Sequence, residues 1–201
     1  DDLNLISLAI VDVNNMMLLT NSGLYSSSNP FTSWILVNPN INSGKLKVSS
    51  DYVYWMRDEI ASEIDMDGNI LNTISIQNNY NASINDLLSI GNNLYIASDK
   101  GLYNYNGASI PAYRKIVNGI TSKNIAQLAK LDTFIICRDS ESNIYISDKE
   151  YSKFVISYNE SPSFEVNDLA VLPSNQIFLA TKNNGILTNS LLNHDAINTA
   201  D

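Results

Sequence analysis

The chain has 201 residues, 44% of them hydrophobic, and carries 21 acidic against 12 basic side chains for a formal net charge of −9. That length can bury a real core, and the negative charge argues against nucleic-acid and anionic-membrane partners. The single cysteine, Cys137, rules out an intrachain disulfide, and no apolar run approaches the length of a transmembrane helix.

Taken in order, the chain reads as short strands separated by tight polar turns. A first group, about 5–38, has strands at Leu5–Val11, Met16–Thr20, Leu24–Ser26 and Trp34–Val37. Residues 38–44, Asn-Pro-Asn-Ile-Asn-Ser-Gly, form a connection. A second group, about 45–77, holds Tyr52–Met56, Ile60–Ile64, the turn Asp65-Met-Asp-Gly-Asn69 and Ile70–Ile76. The third, about 84–118, contains the clearest run, Ile84 to Gly107, with a fourth strand at Tyr113–Val117. The fourth, about 124–158, ends in Phe154–Tyr158, and the fifth, about 165–199, lacks an obvious fourth strand. Asp1–Asn4 or residues 195–199 are the segments expected to complete it.

These groups are copies of one another. Asp86-Leu87 matches Asp168-Leu169, Tyr95-Ile-Ala-Ser98 matches Phe178-Leu-Ala-Thr181, and Gly101-Leu102 matches Gly185-Ile186. The anchoring leucines Leu87, Leu128 and Leu169 are spaced 128 − 87 = 41 and 169 − 128 = 41. Leu8 lies 87 − 8 = 79 before Leu87, close to two periods, so a degenerate copy belongs near Leu46-Lys-Val48. A period of roughly 40 residues with about four strands per unit is that of a β-propeller. The middle strands are apolar on consecutive positions, as expected when both faces of a small sheet are covered. Ala97, Cys137 and Ala180 are read as one small-residue position, with Leu19 in its place in the first copy.

The run Asn93-Leu-Tyr-Ile-Ala-Ser98 followed by Gly101-Leu-Tyr-Asn-Tyr105 resembles the two-component regulator propeller repeat. The resemblance is strongest at 84–107 and 166–187 and weakest at 46–76. The family's Trp is Tyr95 or Phe178 here, its second Gly is Ala97 or Ala180, and no kinase or DNA-binding segment follows. The resemblance implies an all-β propeller fold, which the period places at five blades of four antiparallel strands, a single domain over 1–201. It does not imply signalling.

In such a blade the turn after the second strand and the entry to the first lie on one face. That predicts a polar, ligand-binding mouth carrying Asp86, Gln127 and Asp168 with Arg57, Asp99, Arg138 and Lys182. Other chemistry is poorly supported. Arg57, Arg114 and Arg138 could only imitate a sialidase carboxylate clamp, and Arg114 falls in an outer strand. Asp65-Met-Asp-Gly-Asn69 has Gly68 at the fourth position rather than the sixth an EF-hand needs, so it reads as a turn and not a calcium loop. His194, the only histidine, lies in a polar tail, and no Cys/His cluster could hold zinc. Asn81-Ala-Ser83 and Asn159-Glu-Ser161 match the glycosylation acceptor pattern, as chance allows in an Asn-rich chain. The 11 tyrosines, including Tyr25, Tyr103, Tyr105, Tyr113, Tyr151 and Tyr158, supply either an outer recognition wall or packing between blades.

A clear fold without a catalytic constellation points to a non-enzymatic recognition or scaffold module for a protein or glycan, with no cofactor and no metal. The Asn-, Ser- and Tyr-rich composition suggests the outside of a cell or a virus or phage particle. The start at Asp1 suggests a mature or excised segment. The alternatives are a carbohydrate-active enzyme using Asp86 and Asp168, and a ligand-sensing domain of a larger receptor.

Overall fold

The computed structural model describes residues 4–76, 81–107, 112–158, 165–172 and 174–188. Residues 195–199, His194, Asn159–Ser161 and all of Asp1–Asn4 except Asn4 therefore lie outside the described residues. Among those described there is no helix, so none could cross a membrane. The chain falls into two compact units, Asp1–Ile84 and Asn85–Asp201.

The first unit holds two four-stranded antiparallel meanders. One comprises β1 (Leu5–Ile10), β2 (Asn15–Thr20), β3 (Gly23–Ser28) and β4 (Ile35–Asn38). The other comprises β5 (Lys45–Ser49), β6 (Tyr52–Arg57), β7 (Ile60–Ile64) and β8 (Ile70–Ser75). The second unit holds β9 (Ile84–Ile90) to β12 (Tyr113–Ile116), with β10 at Asn93–Ser98 and β11 at Gly101–Tyr105. A fourth sheet follows, with β13 (Ile125–Leu131), β14 (Phe134–Asp139), β15 (Ile144–Ser147) and β16 (Phe154–Tyr158). A fifth has three described strands, β17 (Val166–Val171), β18 (Ile177–Thr181) and β19 (Ile186–Thr188). These five sheets are the blades, and most strand ends fall within a residue or two of those read from the sequence.

The turns explain part of the repeat. Thr20, Ser98 and Thr181 each donate a side-chain hydroxyl to the carbonyl of the glycine three or four residues on, Gly23, Gly101 or Gly185. Each hydroxyl also accepts a backbone N–H from within its turn. Gly101 has φ +129°, which L side chains rarely adopt. In the fourth blade Asp139 takes the hydroxyl's place. Its carboxylate accepts the N–H groups of Glu141 and Asn143, the Asn143 amide and the Tyr145 hydroxyl. This fixes the register and corrects one reading. Asp139 stands where Ser98 stands, so Arg138, not Cys137, is the counterpart of Ala97 and Ala180. Cys137 is the counterpart of Leu179, and it pairs across the hairpin with Leu128 just as Leu179 pairs with Leu169.

Within each unit, neighbouring blades are joined by a largely apolar seam. In the first unit Ala9, Met17, Leu19 and Leu24 pack with Leu46, Val53, Trp55 and Ile64. In the second, Leu88, Tyr95, Ala97 and Leu102 meet Ile125, Leu128, Ile135, Cys137 and Tyr145. Further on, Leu131, Ile136, Ile144 and Ile146 meet Val166, Leu169, Ile177 and Leu179. Burying one such side chain contributes about 1.5–3 kcal/mol as an upper value. A backbone hydrogen bond nets about 1 kcal/mol. Packing therefore supplies most of each seam's stability, and polar contacts set its register.

Candidate functional site

Of the polar positions expected to form a mouth, Asp86, Gln127 and Asp168 lie near the starts of β9, β13 and β17, and Arg57, Asp99, Arg138 and Lys182 lie at or beside the ends of β6, β10, β14 and β18. In β1, β13 and β17 a β-bulge inserts one extra residue, Ile6, Ala126 or Asn167, two places before the anchoring leucine. A bulge re-aims the neighbouring side chain. Here that neighbour is Ser7, Gln127 or Asp168, and for Ser7 and Gln127 the partner is main chain in the next blade. Ser7 Oγ accepts the N–H of Leu46 at 3.1 Å. Leu46 is thus the anchor of the second blade. Asp86, fully buried, accepts the N–H of Leu128 on Oδ2 at 2.9 Å and that of its own neighbour Leu87 on Oδ1. Gln127 makes a reciprocal pair with Leu169, accepting its N–H and donating to its carbonyl, both at 2.9 Å.

Asp168 is the next in this series. Its Oδ1 accepts the Leu169 N–H at 2.9 Å and the Gln127 amide at 2.5 Å, and the residue is exposed. Arg138 joins the same group. It donates to the Val166 carbonyl at 3.0 Å and lies 3.4 Å from Gln127 Oε1. Burial lowers the pKa of its guanidinium, opposed by the carboxylates of Asp168, Asp139 and Asp86.

The structure thus brings Gln127, Arg138 and Asp168 together and holds Asp86 at the adjoining seam. The others have partners of their own. Asp99 pairs with Lys100 at 3.5 Å in an exposed turn, and Lys182 pairs with Glu165 at 2.9 Å, also exposed. Arg57 belongs to the first unit, where its guanidinium stands 5.1 Å over the Trp55 ring. The Asp65 carboxylate is taken up inside its own turn by the N–H groups of Asp67 and Asn69 and by the Asn69 amide. Among the described residues no group of three or more His, Cys, Asp or Glu could hold a metal ion. Among the described tyrosines, Tyr103 and Tyr145 are fully buried, and Tyr151 packs edge-on against Tyr95 at 5.6 Å.

One recessed surface was not read from the sequence. It is a hollow of about 350 Å³ on the fifth blade, lined by Asp168, Ala170, Leu172, Phe178, Ala180 and Ile186. Its walls are apolar apart from Asp168. By strand register these residues are the counterparts of Gln127, Ala129, Leu131, Ile136, Arg138 and Ile144, the face that the fourth blade buries against the fifth. Ile144 and Ile136 are 0% exposed, whereas Ile186 is 70% exposed. The sequence signal was present in Asp168-x-Ala170-x-Leu172, which repeats Gln127-x-Ala129-x-Leu131.

No protein-family model and no curated protein matches the chain. Solved structures do. The extracellular domain of the putative one-component system BT4673 from B. thetaiotaomicron superposes with TM-score 0.68 at 10% identity, covering 92% of this chain and 26% of that one. PorZ, an essential bacterial surface component of the type-IX secretion system of Porphyromonas gingivalis, gives 0.66 at 12%, covering 92% and 27%. YCF48 bound to D1 peptide gives 0.63 at 12%, covering 97% and 69%. The chain spans about a quarter of the length of the first two. At these identities the likeness concerns the fold, and at that level it agrees with the resemblance to the two-component regulator propeller repeat. The chain is an all-β protein of β-propeller blades.

Proposed function

We propose that this protein is a non-enzymatic recognition module in an extracellular setting, and that it binds a protein through the open apolar face of its fifth blade. The observation that carries the reading is the hollow lined by Leu172, Phe178 and Ile186 with Asp168 at its rim. An apolar recess with one polar group at its edge suits a strand-like peptide segment, whose side chains fill the recess while its N–H groups meet the carboxylate. A glycan would need more polar groups than this face offers. Against the enzymatic alternative stands the Asp86 carboxyl, which is buried and accepts two main-chain N–H groups. Two similar structures support the reading by their own descriptions: YCF48 was solved with a bound peptide, and the BT4673 domain is extracellular.

The test is selection of a displayed peptide library on the intact chain and on Ile186→Asp, with a glycan array run in parallel. Peptides alternating apolar residues should be enriched on the chain and lost on the variant. Glycan hits without peptide enrichment, or enrichment indifferent to Ile186→Asp, would overturn the reading.

A further inference from the structure

We infer that Asn184 is a site of self-modification, where the native chain converts its own side-chain amide to a carboxylate through a cyclic imide. Asparagine is among the thermolabile residues. A following glycine favours the reaction, because no Cβ stands beside the attacking nitrogen and the backbone turns freely. The sequence holds three such pairs, Asn106-Gly107, Asn118-Gly119 and Asn184-Gly185. In the step, the Gly185 main-chain nitrogen gives up its proton and bonds to Cγ of Asn184. The Asn184 side-chain nitrogen leaves as ammonia, carrying that proton. Water then opens the imide at either of its carbonyls, giving aspartate or isoaspartate. Water is consumed and ammonia released, and no electrons are exchanged.

The step needs a free glycine N–H, a free asparagine side chain and a peptide plane able to turn. Asn184-Gly185 has all three. The Asn184 N–H is donated to Thr181 Oγ1 at 3.0 Å, and the Gly185 carbonyl accepts the Thr181 N–H at 2.9 Å and its hydroxyl at 2.8 Å. These bonds hold the outer ends of the pair. Between them, the Asn184 side chain, the Asn184 carbonyl and the Gly185 N–H have no partner among the described residues. Nothing lies within 4 Å of where a Gly185 Cβ would stand, and both residues are exposed. Ser22 and Lys100, which precede the corresponding glycines of the first and third blades, are exposed as well, so this exposure belongs to the turn.

The other two pairs are restrained. The Asn118 carbonyl accepts the Phe154 N–H at 3.0 Å, and a Cβ on Gly119 would overlap the Phe154 carbonyl, so the peptide that must turn is bonded to β16. Asn106 gives its N–H to the Ala112 carbonyl at 2.8 Å and its side-chain amide to Asn93 Oδ1 at 3.3 Å. Each restraint has to open before the imide can close. At Asn184 the isoaspartate product inserts an extra methylene into the main chain ahead of Gly185, which draws the Gly185 carbonyl away from Thr181 and loosens the turn between β18 and β19.

The experiment is incubation of the intact chain at mildly alkaline pH, native and in guanidinium chloride, with peptide mass spectrometry over time. Unfolded, the three asparagines should convert at similar rates. Native, Asn184 should keep its unfolded rate within a few fold, while Asn118 and Asn106 should fall about three- to tenfold behind their own, as a hydrogen bond that must first open requires. The product at 184 should be a mixture of aspartate and isoaspartate, and Asn184→Gln should abolish it without changing the rates at Asn118 and Asn106. Native conversion of Asn118 or Asn106 as fast as Asn184, or an Asn184 slowed more than about tenfold by folding, overturns the inference. Aspartate without isoaspartate overturns the imide route.

Discussion

Asp86 is the residue at which a binding role and a structural role separate most cleanly. It is fully buried, and its two oxygens accept the N–H groups of Leu87 and Leu128. Replacing it by alanine leaves the Leu128 N–H, itself buried, without its acceptor across the seam. A buried donor left unmade costs about 1–3 kcal/mol, and bonds to a charged acceptor lie toward the upper end. The small void adds to this, so Asp86→Ala should lose about 3 kcal/mol, a fall in Tm of roughly 6–12 °C for a chain of this size. Asp86→Asn keeps one acceptor oxygen and should lose about 1 kcal/mol. Asp168→Ala, at an exposed position, should stay within about 0.5 kcal/mol. Urea unfolding gives the stabilities, and hydrogen exchange at the Leu128 amide reports the seam itself. If Asp86→Ala matches the parent chain and leaves Leu128 as protected as before, the latch has been misread.

Two further outcomes follow from the same geometry. Burial pushes the Cys137 thiol well up from its ordinary value, so the native chain should not react with a disulfide reagent at pH 8 and should react fully in urea; rapid labelling of the native chain would contradict the packing. Hydrogen bonds from Asn69 hold the Asp65 carboxyl below its ordinary range, and bonds from Asn15 and Asn14 do the same for Asp12. Depressed carboxyls bind fewer protons folded than unfolded, so their contribution is present above the unfolded pKa of about 3.9 and is lost as pH falls through the folded values. Urea midpoints should fall on going from pH 5 to pH 3, and Asn69→Ala should raise the Asp65 titration midpoint measured by NMR. An unchanged midpoint would refute the turn assignment.

The repeat was legible because Leu87, Leu128 and Leu169 are all buried anchors at one spacing. The seam roles were harder to read for physical reasons. A polar residue before a buried leucine looks the same whether it faces solvent or caps a main-chain N–H 42 residues away, as Asp86 and Gln127 do. The bulges at Ile6, Ala126 and Asn167 carry no glycine to mark them. The fourth blade was misregistered by one because Asp139, not a hydroxyl, closes its turn. The hollow was invisible for another reason: Asp168, Ala170 and Leu172 resemble residues that are covered elsewhere, and sequence does not say which face lacks a neighbour.

A partner bound on the open face of the fifth blade would shield that face from oxidation. Oxidative footprinting of the chain, alone and with a peptide selected on it, tests this directly. Leu172, Phe178 and Ile186 should be protected, with Arg57 and Trp55 in the first unit unchanged. Protection confined to the first unit or to the Asp99 turn, with Phe178 and Ile186 still reactive, would contradict it.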